Sequence, residues 1–271
     1  MNDAKKSSSS GEKKILGTVA KAITILRHFS HDTPEWQLSK LAEKLEMPKT
    51  TLLGLMVTLE SYGLIHKTDK QTYTLGLDLF ELSYNARASI PILHRALPLM
   101  ESIQIQTGCF VYLTIPKKGQ VFYLDGVYPG TRNISYSVSG KGLPMHCTAC
   151  GKAMLFSMKE EEVDQIINYH GMKRFTPNTI TDPGVLKEQL QLFRKQGYAT
   201  EIGEKTSDIK CVGVPIMGRK RVIGALSVAS PFINMPDERT PEFAGLLSRA
   251  AYILAECEEQ FPDCPMLPDK L

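Results

Sequence analysis

The sequence predicts an α+β chain in two parts, a small winged helix-turn-helix followed by a larger domain of antiparallel strands with helices about them. Three observations carry this. Apolar residues recur at helical spacing in three short N-terminal segments, the last opening at a proline. Two β-prone pieces then flank a polar turn. From residue 92 onward, helical and strand patterns mix without an internal repeat. At 271 residues the chain has room for two domains of about 100 to 200 residues each. With 42% hydrophobic and 23% charged residues it has the composition of an ordinary globular protein. No apolar run approaches the roughly 18 residues of a membrane span.

The opening MNDAKKSSSSGEKK is polar and lacks an apolar h-region, so residues 1–14 read as a disordered tail, not a signal peptide, and the expected location is the cytoplasm. Residues 18–30 (TVAKAITILRHFS) place Val19, Ala22, Ile23, Leu26 and Phe29 on one helical face. HDTPEW reads as a turn. QLSKLAEKL follows as a short helix with Leu38, Leu41, Ala42 and Leu45 together. Proline suits a first helical turn, where its missing N–H would be unbonded anyway, so the next helix is expected to begin at Pro48 and to stop at Gly63. The pieces of LIHKTDKQTYTL around Thr68, Asp69 and Lys70 form the expected wing, with Lys67 and Lys70 near its tip.

On the helix after Pro48 a stripe of Leu52, Leu55, Met56 and Leu59 is buried, which turns Lys49, Thr50, Thr51, Gly54 and Thr58 outward. That face is small, polar and free of acid, and a lysine with hydroxyls at a helix start suits phosphates and base edges in a major groove. The charge agrees: residues 1–75 hold 11 Lys+Arg against 8 Asp+Glu, while the rest of the chain holds 21 of each.

Residues 77–91 continue as a connecting helix with Leu77, Phe80, Leu82 and Tyr84 apolar, ended by Pro91. Beyond it the patterns predict helices at 93–107, 160–169, 184–196 and 241–259, with strands at 109–115, 120–125, 211–216 and 221–229. The acidic trio Glu160 to Glu162 suits a helix start, and Arg219-Lys220-Arg221 suits a hairpin turn.

The stretch PMHCTACGK, residues 144–152, sets His146, Cys147 and Cys150 side by side. One C-x-x-C pair without a second ligand pair does not make a structural zinc site. The zinc-deaminase signature fails, because no histidine is followed by x-Glu. Haem attachment would need histidine where Gly151 stands. A thiol-redox or metal-sensing role through Cys147 and Cys150 stays as the competing reading, since Cys150 would lie near a helix N-terminus that favours thiolate. Small buried thiols backing a pocket are the simpler one. Six cysteines are too sparse for a disulfide scaffold. Neither a cofactor nor a metal is expected, and Ser227 lacks the G-x-S-x-G context of a nucleophile.

The order of these pieces, with AITILRHF, LSKLAEKLEMPKTTLLGLMVTLESYGLI, YTLGLDLFEL, LPMHCTACGKAML, FTPNTIT, GYATEIGE, IKCVGVPI and GALSVASP, resembles the IclR family of bacterial transcriptional regulators over about residues 15–258. The resemblance implies a winged helix-turn-helix over 15–76, a linker helix over 77–91, a GAF-like effector-binding domain over 92–260 and a C-terminal tail over 261–271. It also implies no enzymatic activity, double-stranded operator DNA and a small-molecule effector as partners, and assembly as a homodimer or homotetramer away from the membrane. The DNA contacts it implies are Ser39, Lys49, Thr50, Thr51, Gly54 and Thr58, with Lys67 and Lys70 on the wing; Gly54 departs from the arginine common there. The effector positions it implies are Ala149, Cys150, Gly151, Glu201, Cys211, Ser227 and Ala229. Glu201 stands where aspartate is frequent and Ala229 where many members have a serine. The expected effector is a small polar organic acid or sugar acid, with its carboxylate on N–H groups near Ala149 to Gly151. A hydroxyl or amide N–H of the ligand would turn to Glu201, and Ala229 leaves room for a bulkier or less polar group.

Overall fold

The computed structural model describes residues 15–130 and 139–263, so the tail expected at 1–14 and residues 264–271 of the tail expected at 261–271 lie outside the described residues. The chain divides into two compact units, Met1–Ser89 and Ile90–Leu271, and mixes helices with antiparallel sheets.

In the first unit α1 (Gly17–Arg27), β1 (Glu35–Gln37), α2 (Leu38–Lys44), α3 (Lys49–Ser61), β2 (Ile65–Lys67), β3 (Thr72–Leu75) and α4 (Asp78–Ala88) follow in order. The strands form a small antiparallel sheet in the order β1-β3-β2. Ile25, Leu41, Leu52 and Met56 are wholly buried and, with Phe29, Leu59, Ile65 and Tyr73, make its core.

The stripe expected on α1 needs correcting. Val19 and Ile23 are exposed, and Ile25 takes the central place. Residues 19, 22, 23 and 26 and residues 22, 25, 26 and 29 are both helical stripes sharing Ala22 and Leu26, and packing selects the second. Residues 34–36, expected in a turn, run into β1 instead, where Trp36 pairs with Tyr73 and its indole N–H donates to the His28 carbonyl at 3.0 Å. A three-residue strand is too short to show a period of two. Pro48 is the N-cap of α3 with extended backbone, not its first helical residue. At the far end Gly63, at φ +64°, closes α3 by donating to the Glu60 carbonyl while Leu64 donates to that of Leu59. On α4 no side chain is buried, and Leu77, Phe80, Leu82 and Tyr84 are all exposed.

The second unit contains α5 (Ile92–Thr107), β4 (Phe110–Lys117), β5 (Gln120–Val127), β6 (Gly142–Pro144), α6 (Ala149–Phe156), α7 (Glu160–His170), α8 (Pro183–Gln196), β7 (Ala199–Ile202), β8 (Ile209–Met217), β9 (Val222–Pro231) and α9 (Thr240–Ala255). The strands make one antiparallel sheet in the order β6-β5-β4-β9-β8-β7. Successive side chains point to opposite faces. Val111, Leu113, Val212, Val214, Leu226 and Val228 therefore share one face, packed with α5 and α9 residues such as Met100, Phe243 and Leu247. Phe110, Tyr112, Ala225 and Ala229 share the other, packed with α6 and α8. A sheet covered on both sides gives strands that read as nearly continuous apolar runs, as β9 does apart from Ser227 and Ser230.

The expected helices and strands of this unit form within a few residues of their predicted ends. The last helix stops at Ala255, with only a short 3₁₀ turn, Glu258–Gln260, beyond it. Strand patterning found neither β6 nor β7, and periodicity did not find α6. Every residue of α6 is buried, so it carries no polar face to set a period. The acidic trio opens α7, where Glu162 accepts the Lys159 N–H at 3.0 Å, and the basic run lies in the turn between β8 and β9.

Candidate DNA-reading face and effector pocket

Lys49, Thr50, Thr51, Gly54 and Thr58 are all exposed on α3, while Leu52, Met56 and Leu59 are buried. Leu53 and Val57 are exposed among them, so the face expected to be small and polar carries two apolar side chains as well. No side chain caps the start of α3 and no acid stands in its first turn, so its N-terminal N–H groups and the positive end of its dipole are open to an anion. A methyl at Gly54 would meet nothing within 4 Å. The Thr58 hydroxyl donates to the Gly54 carbonyl at 2.9 Å, which leaves its oxygen as an acceptor. Ser39 is exposed in the first turn of α2. Lys67 on β2 and Lys70 in the turn are exposed too, and the turn is braced by Thr68 and Thr72 hydroxyls 2.7 Å apart.

In the second unit the strand register sets one row across the sheet: Glu201 pairs with Cys211, Cys211 with Ala229, and Ala229 with Phe110. Gly213, Ser227 and Tyr112 form the next row on that face. A cavity of about 110 Å³ lies over the first row, floored by Glu201, Cys211 and Ala229. Phe110, Tyr112 and Tyr123 give it aromatic walls, and Thr148, Lys205 and Thr206 bring polar groups to it.

Of the effector positions, Glu201, Cys211 and Ala229 line this cavity, while Ala149, Cys150, Gly151 and Ser227 do not. The start of α6 is clamped instead. The Gly151 N–H donates to the Thr148 hydroxyl at 3.2 Å. A Cβ at Gly151 would lie 2.3 Å from the Met145 carbonyl oxygen, and one at Gly213 would lie 2.7 Å from the Ala149 carbonyl. The expectation of free N–H groups therefore fails at Gly151, because the capping threonine has taken that donor. Ser227 is buried and hydrogen-bonds with the Cys150 thiol.

Glu201 is almost wholly buried, and its Oε1 accepts the N–H groups of Glu204 at 2.5 Å and Lys205 at 3.0 Å. Burial pushes its carboxyl upward, opposed by those two donors and by Cys211. The loop after β7 is thus wrapped around Glu201. It is pinned again by Thr176, which donates to the Gly203 carbonyl at 2.6 Å, and by Thr179, which donates to that of Glu204 at 2.6 Å. Glu204 in turn pairs with the buried Lys152 of α6. Sequence reasoning missed Thr148, Lys205, Thr206 and the aromatic walls; the signal available was the N-cap pattern at Thr148 and the β-strand alternation that puts Phe110 and Tyr112 on one face.

The thiols are quiet. Burial pushes the Cys150 thiol up to about 11 and that of Cys147 to about 12. The thiolate expected at the helix N-terminus does not form, because desolvation outweighs the hydrogen bonds from Ser227 and Thr114. His146 is buried, with its ring N–H donating to the Lys173 carbonyl at 3.0 Å. Among the described residues, no three His, Cys, Asp or Glu side chains converge to hold a metal ion, and no helix is long and apolar enough to cross a membrane.

Comparisons with known proteins agree with this architecture. Residues 18–69 match the family model described as the IclR helix-turn-helix domain, and residues 85–255 that of the bacterial transcriptional regulator IclR C-terminal domain. The chain is 28% identical over 243 residues to the HTH-type transcriptional regulator XynR of Escherichia coli, covering 89% of this chain and 96% of that protein. The crystal structure of the Thermotoga maritima IclR has a TM-score of 0.70 at 28% identity, covering 89% of this chain and 98% of that one. An IclR homologue from Microbacterium hydrocarbonoxydans, complexed with 4-hydroxybenzoate, shares the fold with a TM-score of 0.75 at 22% identity, covering 89% and 98%. With a winged helix-turn-helix that exposes an acid-free helix face, a ligand-sized cavity on the second sheet and both family models spanning most of its length, this chain belongs to the IclR family of DNA-binding, effector-responsive transcriptional regulators.

Proposed function

We propose that residues 15–76 read an operator of roughly two-fold symmetry through Ser39, the outward face of α3 and the wing lysines, with 77–91 as linker, 92–260 as effector domain and 261–271 as a tail. The chain acts in the cytoplasm as a homodimer or homotetramer, since reading two symmetric half-sites takes at least two copies. The effector is a small carboxylate held in the cavity floored by Glu201, Cys211 and Ala229, and it shifts the affinity for operator. The observation that carries this reading is the outward face of α3, where Lys49, Thr50, Thr51, Gly54 and Thr58 lie together without an acid beside an uncapped helix start. Mobility shift of the full chain on its own upstream DNA, against unrelated duplex, tests it. Lys49→Ala and Lys70→Ala should weaken binding to all duplexes and each lower the salt slope by about one unit. Equal affinity for upstream and unrelated duplex would refute the reading.

A further inference from the structure

We infer that Lys205 is the counter-charge of the effector's carboxylate and that the effector has a flat, apolar body. This rests on the effector reading above and specifies it.

The anion site cannot be centred on Gly151, whose N–H already donates to Thr148. Among the described residues that line the cavity, Lys205 is the one with a positive charge. Its backbone N–H is tied to Glu201 Oε1 at 3.0 Å, which fixes the root of the side chain at the cavity. Its ammonium lies 4.1 Å from the centroid of the Phe175 ring. Among the described residues no carboxylate pairs with it. Phe175 is not itself part of the cavity lining, so the ammonium rests on a ring outside that lining, unneutralised by a carboxylate, and a change of side-chain rotamer would bring it to an acid in the cavity.

The rest of the cavity selects the ligand's body. Tyr112 and Tyr123 meet edge to face with centroids 5.3 Å apart and planes at 83°, while the Phe110 and Tyr112 planes are within 2° of parallel. Leu143 and Ile209 complete an apolar surround. A polyhydroxylated acid could reach the few polar groups at Glu201, Thr148 and Thr206, but its remaining hydroxyls would press on ring faces and aliphatic side chains, a cost that a flat apolar body avoids. Glu201 on the floor repels a second carboxylate, so the acid end points to Lys205. At about 110 Å³ the space suits one small ring and not a long chain.

The test is calorimetry on the full chain with benzoate, its neutral analogue benzamide, and gluconate as the polyhydroxylated acid. Benzoate should bind the wild type more tightly than either. Lys205→Met should weaken benzoate by about tenfold to a hundredfold. Lys205→Arg should recover most of that loss, and benzamide should not respond to either change. Absence of benzoate binding, undiminished binding by Lys205→Met, or tighter binding of gluconate overturns the inference. Operator mobility shifts on the same samples keep the two readings apart: a chain that binds operator but fails these tests leaves the regulator standing and removes the role of Lys205.

Discussion

Lys152, completely buried in α6, points its ammonium at the carboxylate of Glu204, itself buried in the loop after β7. Burial lowers the proton affinity of Lys152, and the attraction of Glu204 opposes that shift. The other carboxylate oxygen of Glu204 is buried without a hydrogen-bond partner. This pair ties α6 to the loop that carries Lys205 and Thr206 to the cavity. Removing one charge of such a pair strands the other. Lys152→Met and Glu204→Gln should each destabilise the effector domain by about 3–5 kcal/mol, with the double variant losing much less than the sum. Thermal and denaturant unfolding of the four chains checks this, and additive losses would show that the two residues act independently.

Gly54 sits in the middle of α3 with open space where a side chain would go. Gly54→Arg should gain up to about 1 kcal/mol of helix stability and add a cation to the face carrying Lys49. Affinity for duplex DNA should rise at low salt, with the gain shrinking as salt rises. Unchanged or weaker binding at low salt would show that this face does not meet DNA or needs the glycine's smallness.

His146 makes stability depend on pH. Burial lowers its affinity for a proton below the ordinary value of 6.5, a nearby Lys152 charge acts in the same direction, and the hydrogen bond to the Lys173 carbonyl opposes them. The unfolded chain takes up the proton first, so this contribution is present above 6.5 and is lost as pH falls from there through the lower folded value. Glu201, with its carboxyl raised by burial, acts in the opposite sense. The melting temperature should fall between about pH 7 and about pH 5.5, and less steeply in His146→Gln. Equal slopes in the two chains would assign the effect elsewhere.

Cys147 and Cys150 should react slowly with thiol reagents at about pH 8, because both thiols titrate far above it. Per-residue labelling rates by mass spectrometry should rank both below the partly exposed Cys257. Cys147→Ser should leave folding and operator binding largely intact, and protein purified without added metal should carry well under one zinc per chain. Rapid labelling of Cys150, or one tightly held zinc, would revive the thiol-sensor reading.

The sequence by itself determined the order of most of the helices and the longer strands, though not β1, β6, α6 or β7, and it determined which residues of α3 are exposed. A helix face is written locally: residues three and four apart are neighbours whatever surrounds them, so Lys49, Thr51, Gly54 and Thr58 were legible beside the apolar stripe from Leu52 to Leu59. The exception on α1 shows the limit, since two overlapping stripes satisfy the same period and only contact with the core selects Ile25 over Ile23. The floor of the cavity became legible through the family's local strings. Its charge and shape did not, because strand register across the sheet, which sets Glu201, Cys211, Ala229 and Phe110 in one row, joins residues up to about a hundred positions apart and leaves no local trace. Burial decided the rest. It turned Cys150 from a helix-end thiolate into an inert thiol, gave the donor at Gly151 to Thr148, and left Lys205, an ordinary lysine in the sequence, as the one cation among the described residues lining the cavity. Desolvation and pairing depend on what lies within a few ångströms in space, and that is settled only when distant segments pack.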